Sequence, residues 1–401
     1  MTLTMDAEAK PQKKSQTTGG PVGKVVFFMP IGAHEQVRAV HKQAWTLSSA
    51  GYEVEIAVQA APLNEYLGMK VSEVGPSKGY MLRSLLNSRR WFRICRSKKA
   101  DVFVLRNPDC IFLALMLTMA GQNVVYDSQE DFSKRPLLRG IRPAFLKPII
   151  AQTLTFLEQL LARRVAAVLV TQAQQVEQLG GRTFLQPNAP LVDGPILDAM
   201  CNMPRVVAPD RDTLIYVGEI SESRGIWQML DIVERVNESR YCTLKIAGRF
   251  AHADLQREAK DHPGWQYVDY VGQISHAESL SLIRDADVGL ALLMPVADYP
   301  TSSITKLYEY MTFGIPFVAS NFPAWRVASE NGVPGIYVDP QSPDESLEAI
   351  IRLLEDPKLR RKMGEIGSEY IANEFNWNEY ANPFLEIIAA AQSGAWRTPH
   401  E

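Results

Sequence analysis

The residues best suited to chemistry lie in a short stretch of the second half, 304–320, which reads ITKLYEYMTFGIPFVAS. Its pattern predicts a loop, a helix over 306–313 that ends at Gly314, and a strand over 316–319. The start of a helix offers unpaired N–H groups and a partial positive charge, which suit a diphosphate. Lys306 adds a cation there, and Glu309 can accept hydrogen bonds from ribose hydroxyls. The plainer interpretation is a solvated helix with a capping turn.

A second stretch with binding chemistry is 215–226, which reads IYVGEISESRGI. Gly218 allows backbone to approach a phosphate closely, and Arg224 can bind phosphate oxygens with two parallel hydrogen bonds. Glu219 would repel a diphosphate, so we expect it to face away from the site. The alternative is a strand and turn that carry a surface arginine.

The elements that must position these residues alternate between strand and helix along the whole chain. Apolar, β-branched runs predict strands at 24–29, 52–59, 101–105, 123–127, 166–171, 213–217, 243–247, 267–271, 288–292 and 316–319. Helical sequence lies between most of them. The predicted fold class is α/β, with two Rossmann-like doubly wound domains facing a cleft. Ligands bind outside the carboxyl ends of such strands.

The domain boundaries follow from composition. We expect a disordered tail over 1–20, an N-terminal Rossmann-like domain over 21–190 and a proline-rich linker over 191–212. A second Rossmann-like domain over 213–375 follows, and 376–401 form a last helical segment. The polar tail has no apolar core of the kind that a signal peptide needs.

Overall composition excludes several classes of protein. The 401 residues carry a formal charge of −3, which does not favour nucleic acid as a partner. The four cysteines lie far apart, so neither a zinc site nor a disulfide framework is indicated. No apolar run reaches the roughly 18 residues needed to span a bilayer, and 111–120 predicts a buried helix instead.

These motifs resemble the donor-binding half of retaining glycosyltransferases of the large bacterial GT-B family (group 1, or family 4-like), of the polysaccharide or lipid-linked glycan type. Members read K-L-x-E-Y-M-A-x-G-x-P-V-V-A-S where this chain has 306–320. The stretch LKIAGR at 244–249 is similar to the third strand and brings Gly248 and Arg249 to the site. YVGQIS at 270–275 is similar to the segment that receives the nucleobase, at Ile274. The resemblance covers most of 213–386. It implies that 21–190 form the acceptor-side domain, that 213–375 form the nucleotide-sugar-binding domain, and that a C-terminal helix over 376–401 crosses back to the first domain.

The chain departs from the family pattern at two places in this half. Many members have two glutamates seven residues apart, and the first would fall on Thr301. The loop Thr301-Ser302-Ser303 therefore remains as a source of hydroxyl and backbone donors, and the sugar identity stays open. Ser302, Ser303 and Thr305 are the candidate donor-binding residues of this stretch. Many members also have an arginine where this chain has Glu219.

The first half resembles the family more loosely. Gly32 falls in the loop that faces the donor phosphates. His34 and Glu130 are the candidate catalytic residues, the latter in a YDSQEDF segment with Gln129 where histidine is usual. The loop 105–109 ends another strand and is a further candidate for a residue near the anomeric carbon. A lone histidine such as His34 is more often structural.

Two basic segments with interleaved aromatic and aliphatic residues lie at 78–99 and 134–147. Such segments suit an anionic membrane surface. Nucleic acid and a simple solvated face are the alternatives. With the resemblance, they predict a cytoplasmic enzyme, peripheral at the inner face of the membrane.

The resemblance implies transfer of a sugar from a UDP- or GDP-sugar to a hydroxyl of a glycan or lipid-linked glycan, with retention, no cofactor and no obligatory metal. Two alternatives stay open. A nucleotide-sugar 2-epimerase of the same fold would act on the donor without an acceptor. A non-catalytic nucleotide-sugar-binding scaffold would bind without turnover.

Overall fold

The computed structural model describes residues 20–31, 33–77, 83–130, 145–206, 210–296, 298–327 and 331–395. The tail expected over 1–20 lies outside these residues except for Gly20, as do Gly32 and most of the basic segment 134–147. The chain divides into two compact units. One runs to Asn188 and resumes at Asn378, and the other comprises Ala189–Trp377.

The first unit is built on an eight-stranded sheet. Its strands are β1 (Lys24–Met29), β2 (Glu53–Val58), β3 (Glu65–Tyr66), β4 (Met69–Glu73), β5 (Val102–Arg106), β6 (Asn123–Ser128), β7 (Ala167–Val170) and β8 (Thr183–Leu185). Their order is β3-β4-β2-β1-β5-β6-β7-β8. All pairs are parallel except β3 with β4. The apolar side chains of β1 and β5 are fully buried, as central parallel strands require.

The helices of the first unit cover both faces of this sheet. They are α1 (Trp45–Ser49), α2 (Arg83–Lys98), α3 (Ile111–Met119), α4 (Leu146–Arg164) and α5 (Ala173–Leu179). The predicted buried helix is confirmed as α3. A π-helical segment, Val37–Ala44, precedes α1, and every residue in it except Val37 is buried. π-Helical turns are rare and concentrate at functional sites.

The second unit is built on six parallel strands. They are β9 (Asp212–Val217), β10 (Cys242–Ala247), β11 (Val268–Gly272), β12 (Val288–Ala291), β13 (Phe317–Ser320) and β14 (Gly335–Val338). Their order is β11-β10-β9-β12-β13-β14. The chain winds outward from β9 in both directions, so the switch point of the sheet lies between β9 and β12.

The helices after α5 complete the fold. They are α6 (Pro195–Cys201), α7 (Ile226–Val236), α8 (Ala253–Asp261), α9 (His276–Arg284), α10 (Thr305–Thr312), α11 (Pro343–Glu355), α12 (Pro357–Asn373) and α13 (Trp377–Ser393). α6 lies in the segment expected to be a linker, and the Arg284 guanidinium donates to the Met200 carbonyl at its end. All but the first residue of α13 belongs to the first unit, where Gln392 donates to the Val22 carbonyl.

The predicted α/β class with parallel sheets is confirmed, and the ten predicted strands match the observed ones within one or two residues at each end. The hairpin β3–β4 and the strands β8 and β14 were not predicted. β3 and β8 have two and three residues, too few to show a periodicity.

Candidate functional site

Two glycine-containing turns meet at the carboxyl edge of the second sheet. Gly218 follows β9 and donates to the Ala247 carbonyl, and Gly248 follows β10 and donates to the Gly272 carbonyl. A Cβ on Gly248 would lie 1.8 Å from the Gly218 oxygen, and Gly248 has a φ of +147°. Only glycine fits at this position, because the two backbones touch. Because Gly218 and Gly248 carry no side chains, the two turns leave space for a ligand at this edge of the sheet.

The loop after Gly218 forms a short 3₁₀ turn, Glu222–Arg224, before α7 begins. Gly225 caps this helix with a φ of +80°, and a Cβ there would lie 2.1 Å from the Leu292 oxygen. The Ser223 carbonyl accepts a hydrogen bond from the Met294 amide. The turn is thus attached to the chain that follows β12, which fixes the position of Arg224.

Helix α10 is held against the sheet by Tyr310. The Tyr310 hydroxyl is 3.2 Å from the Ile215 carbonyl and 3.0 Å from the Leu290 carbonyl, on β9 and β12. The first residue before the helix, Ile304, makes no side-chain cap. The first N–H groups of α10 therefore remain available to an anion at the switch point.

Lys306, in the first turn of α10, is buried, with 6% of its surface exposed. Its Nζ lies 3.3 Å from the centroid of the Tyr216 ring and has no hydrogen-bond partner among the described residues. Burial and the neighbouring Arg224 lower the pKa of Lys306 well below its usual 10.5, and Glu309 opposes this only in part. An ammonium group held this way lacks an anionic partner.

Arg224 converges on the same point as Lys306. A Cβ placed on Gly218 would lie 3.5 Å from the Lys306 Nζ and 3.8 Å from an Arg224 guanidinium nitrogen. Burial alone would lower the pKa of Arg224, but Tyr216, Tyr299 and Glu219 together raise it. Its buried Nε has no hydrogen-bond partner in the described chain.

Glu309 lies one turn after Lys306 and is partly exposed. Its Oε1 is 3.7 Å from the Nε2 of His276, the first residue of α9. The side chains are 22% and 28% exposed, respectively, so solvent and a ligand can reach the pair. The carboxylate is available to hydroxyl donors on the side of the site that α9 lines.

Together these residues make a compact cationic site with a carboxylate at its border. Two cations and uncapped helix N–H groups, beside a glycine whose missing side chain leaves room for a ligand, suit the oxygens of a diphosphate. A carboxylate one helical turn away suits a diol. The second unit therefore has the chemistry of a nucleotide site at the switch point of a parallel sheet.

Residues 204–370 match the family described as glycosyl transferases group 1. The second unit carries a group 1 glycosyltransferase domain. The chain is 25% identical to phosphatidyl-myo-inositol mannosyltransferase of Mycolicibacterium smegmatis over 391 aligned residues. The aligned region covers 94% of each chain. It is 26% identical over 183 residues to glycogen synthase of Mycobacterium tuberculosis, which covers 45% of this chain and only 43% of the synthase.

The fold is also found among solved structures. The crystal structure of HepE from Anabaena in complex with UDP and glucose matches with a TM-score of 0.65 at 15% identity, covering 92% of this chain and 100% of HepE. At this identity the match shows the fold alone. The two parallel-sheet units have the GT-B architecture.

The other residues predicted to bind the donor lie after β10, before α9 and around the start of α10. Arg249 has an exposed side chain, and its carbonyl accepts from the Ile220 amide. Ile274 is half-buried just before α9. The hydroxyl residues precede or begin α10: Ser302, whose carbonyl accepts from the Trp325 indole, and the exposed Ser303 and Thr305. These placements leave their roles as predictions.

The predicted catalytic residues lie in the first unit after different strands. His34 follows β1 and is buried edge-to-face against Tyr66, with 5.0 Å between ring centroids. Glu130 follows β6 and is half-buried, and β5 lies between the two strands. Gly32 lies outside the described residues. The Tyr66 contact gives His34 a packing role, and its catalytic role stays a prediction.

A buried cluster of charge occupies the carboxyl edge of the first sheet. Arg38, in the π-helical segment, pairs with Asp127 at 2.8 Å, and the Nε of Arg106 lies 3.4 Å from the same carboxylate. Burial alone would raise the pKa of Asp127, but both guanidiniums hold it below its usual 3.8. Burial lowers the pKa of Arg106 to about 10.

Three contributors to these sites, Tyr216, His276 and Asp127, were not predicted from the sequence. Tyr216 looks like an ordinary strand residue, and His276 like an ordinary first residue of a helix. Asp127 was noted only as part of the YDSQEDF segment, and no role was predicted for it. One signal was available: Arg106 and Asp127 end apolar strands, where a charged side chain at a buried carboxyl edge indicates a site.

Proposed function

We propose that the chain transfers a glycosyl group from a nucleoside-diphosphate sugar to a hydroxyl of an acceptor, with retention at the anomeric carbon. The observation that supports this most is the buried Lys306 Nζ, which lacks a hydrogen-bond partner among the described residues and converges with Arg224 on Gly218. A buried cation without a counterion costs free energy that only an anionic ligand would offset.

In this proposal the donor diphosphate lies over Gly218, against the first turn of α10. Lys306 and Arg224 bind its oxygens, and Glu309 accepts hydrogen bonds from the ribose hydroxyls. A uridine or guanosine diphosphate sugar is the proposed donor. UDP is the first to test, because the related HepE structure holds UDP and glucose.

The reaction breaks the bond between the anomeric carbon and the diphosphate oxygen, whose electron pair stays on the diphosphate. It forms a bond to the acceptor oxygen, and the acceptor proton passes to the leaving diphosphate or to water. Negative charge builds on the leaving diphosphate, and the cations of the group 1 domain stabilise it in the transition state. These cations supply the charge that a metal ion supplies elsewhere. We therefore propose that transfer proceeds without an added metal.

The names of the relatives favour a transferase over the alternatives. The full-length relative is a phosphatidyl-myo-inositol mannosyltransferase and the partial one a glycogen synthase. A glycan or lipid-linked glycan is accordingly the proposed acceptor. The epimerase and the scaffold have no observation of their own in this structure.

We further propose that the enzyme acts at an anionic membrane surface. α2 exposes Leu85 and Leu86, whose surfaces are 55% and 59% accessible. The same helix carries the exposed basic residues Arg89, Arg93 and Arg96. Phe145 and Ile149 at the start of α4 are also exposed. Within the described residues no helix has the length and apolarity to cross a bilayer. Apolar side chains beside arginines suit an interfacial surface.

The donor site is tested by thermal stabilisation with a panel of nucleoside diphosphates and their sugars. We expect one nucleotide class to raise the melting temperature of the wild type, and Arg224→Ala and Glu309→Ala to lose that shift. Arg235→Ala, on the exposed side of α7, is the matched control and should keep it. No shift with any nucleotide at millimolar concentration would overturn the donor site.

The reaction class is tested by product analysis with the nucleotide sugar that stabilises best. A transferase releases nucleoside diphosphate only as acceptor is consumed, and the new linkage keeps the donor's anomeric configuration in proton NMR. Conversion of the sugar to an isomer without acceptor would establish the epimerase. Activity in the presence of EDTA tests the proposed metal independence.

A further inference from the structure

Arg106 at the end of β5 is a buried arginine whose hydrogen-bonding capacity is not used up. The residue is 3% exposed. Its Nη1 donates to the Gln36 side chain, and its Nε lies 3.4 Å from the Asp127 carboxylate. Its Nη2 has no hydrogen-bond partner among the described residues. A guanidinium presents five donors, so a buried Nη2 in this state calls for an acceptor from outside.

The carboxylate beside Arg106 also serves a second guanidinium. Asp127 is shared with Arg38, which binds it through Nε at 3.1 Å and Nη2 at 2.8 Å. The third nitrogen of Arg38 donates to neutral oxygens, the Gln186 carbonyl and the Asn188 side chain. Two guanidiniums therefore share the Asp127 carboxylate, and Arg106 lies farther from it than Arg38, at 3.4 Å against 2.8 Å. A second anionic group would pair with Arg106.

A small pocket opens beside this cluster at the carboxyl ends of β1 and β5. Arg106 itself lines it, together with Met29, Pro30, Ile31, Gln36, Asn107 and Asp109. Its volume is about 10 Å³, room for one oxygen-sized group. The pocket thus accepts one terminal oxygen of a larger molecule whose remainder stays outside.

Asn107 supports a functional interpretation of the pocket. Its φ of +65° and ψ of 160° lie in a region that glycine occupies almost alone. Such strain costs on the order of 1–3 kcal/mol and concentrates at ligand sites. Asp109 also lines the pocket and already has a partner. An occupant therefore presents an anionic oxygen to Arg106 and a hydroxyl, rather than a second charge, towards Asp109.

We infer that this pocket binds an anionic oxygen, of a phosphate monoester or a carboxylate, carried by the sugar-bearing acceptor. The assignment to the acceptor rests on the proposed glycosyl transfer, whereas the anion site itself rests on Arg106 and its pocket. Inorganic phosphate shares the charge and lacks the hydroxyls, so it distinguishes a free-anion site from an acceptor site.

The test uses the full chain with Arg224→Gln and Lys306→Gln combined, which removes the cations of the donor site. Calorimetric titration with glucose 1-phosphate is compared with glucose and with inorganic phosphate. We expect glucose 1-phosphate to bind at least about 10-fold more tightly than either, as one charge-assisted hydrogen bond gives. Equal binding of inorganic phosphate would overturn the acceptor assignment, and no binding of either anion would overturn the site.

Two further substitutions locate the binding. Asn107→Asp adds a carboxylate to the pocket, keeps the side-chain shape and leaves the buried cluster intact, so it should weaken glucose 1-phosphate at least about 10-fold. Arg106→Lys should do the same where circular dichroism shows it folded. Asn64→Asp, an exposed position in the same unit, is the control. Unchanged affinity in Asn107→Asp would overturn the proposal without relying on a folded Arg106 variant.

The proposed donor site and the proposed anion pocket can be rejected independently of each other. Nucleotide stabilisation of the wild type tests the donor site in the second unit and does not depend on Arg106. If no nucleotide binds the wild type but glucose 1-phosphate binds, the anion site is supported and the proposed glycosyl transfer from a nucleotide sugar is rejected. If a nucleotide binds but glucose 1-phosphate does not, the donor site is supported and the anion site at Arg106 is rejected.

Discussion

The ammonium nitrogen of Lys306 lies 3.3 Å from the centroid of the Tyr216 ring, with no hydrogen-bond acceptor among the described residues. A desolvated cation over an aromatic face gains about 2 kcal/mol. Burial and the neighbouring Arg224 act against the charged form and lower the pKa of Lys306 well below 10.5. The residue is positioned for a ligand at the expense of the stability of the unliganded protein.

Lys306→Met should therefore stabilise the unliganded protein while abolishing nucleotide binding. Methionine keeps the apolar stem and its contact with Tyr216 and removes the buried charge. We expect a gain of about 1–2 kcal/mol, or a few degrees in the melting temperature of the second unit. Scanning calorimetry with and without nucleotide measures both effects. A variant that melts lower than the wild type without ligand would contradict the account.

At a pH near or above the lowered pKa of Lys306, binding of a nucleoside diphosphate should be accompanied by proton uptake. The pKa of Lys306 is lowered in the free protein, and a diphosphate beside it raises that pKa again. Affinity should fall as pH rises above the lowered pKa, well before an ordinary lysine titrates. Calorimetry in buffers of different ionisation enthalpy counts the protons. Lys306→Met should show no uptake assigned to this site.

Gly248→Ala should disrupt the group 1 domain. The new Cβ would lie 1.8 Å from the Gly218 oxygen, and no side chain can move to relieve a contact with backbone. We expect a loss of about 3 kcal/mol or more and loss of nucleotide binding.

Gly272→Ala is the matched control for that substitution. Gly272 also has a positive φ, +83°, but a Cβ there has open space around it. Only backbone strain of about 1–2 kcal/mol should result. Equal effects of the two substitutions on the melting temperature would show that the close approach at Gly248 is unimportant.

Asp127→Asn should destabilise the first unit by about 3–5 kcal/mol, because two buried guanidiniums then face an amide. The pKa of Asp127 is below 3.8 in the folded protein, so its ionised form contributes stability above that pH. This contribution is lost as pH falls through the folded pKa. Urea unfolding from pH 7 to 3 should show the gap between wild type and variant closing only at the acidic end. A constant gap would argue against an electrostatic role.

Membrane association should depend on the exposed face of α2. The wild type should co-sediment with vesicles rich in phosphatidylglycerol and much less with phosphatidylcholine alone. Arg89→Glu combined with Arg93→Glu should weaken binding by about 1 kcal/mol or more for each replaced arginine, at least roughly thirtyfold in all. Arg235→Glu on α7 is the control. Binding that ignores both lipid charge and these substitutions would reject the membrane proposal.

The sequence by itself determined the α/β class, the ten main strands and the segments that carry Gly218, Arg224 and Lys306. Apolar runs of four to six residues and the glycine turns that follow them are local signals, so they can be read without tertiary structure. The order of the motifs along 213–320 was enough to predict a nucleotide site.

Only the tertiary structure decided which side chains face one another. Tyr216 beneath Lys306, His276 beside Glu309, and Arg38 with Arg106 on one Asp127 are pairs separated by up to 90 positions in sequence. No local pattern encodes such pairs, because parallel sheets bring strand ends together through long crossovers. The lowered pKa of Lys306 arises from burial, which exists only once the chain is folded.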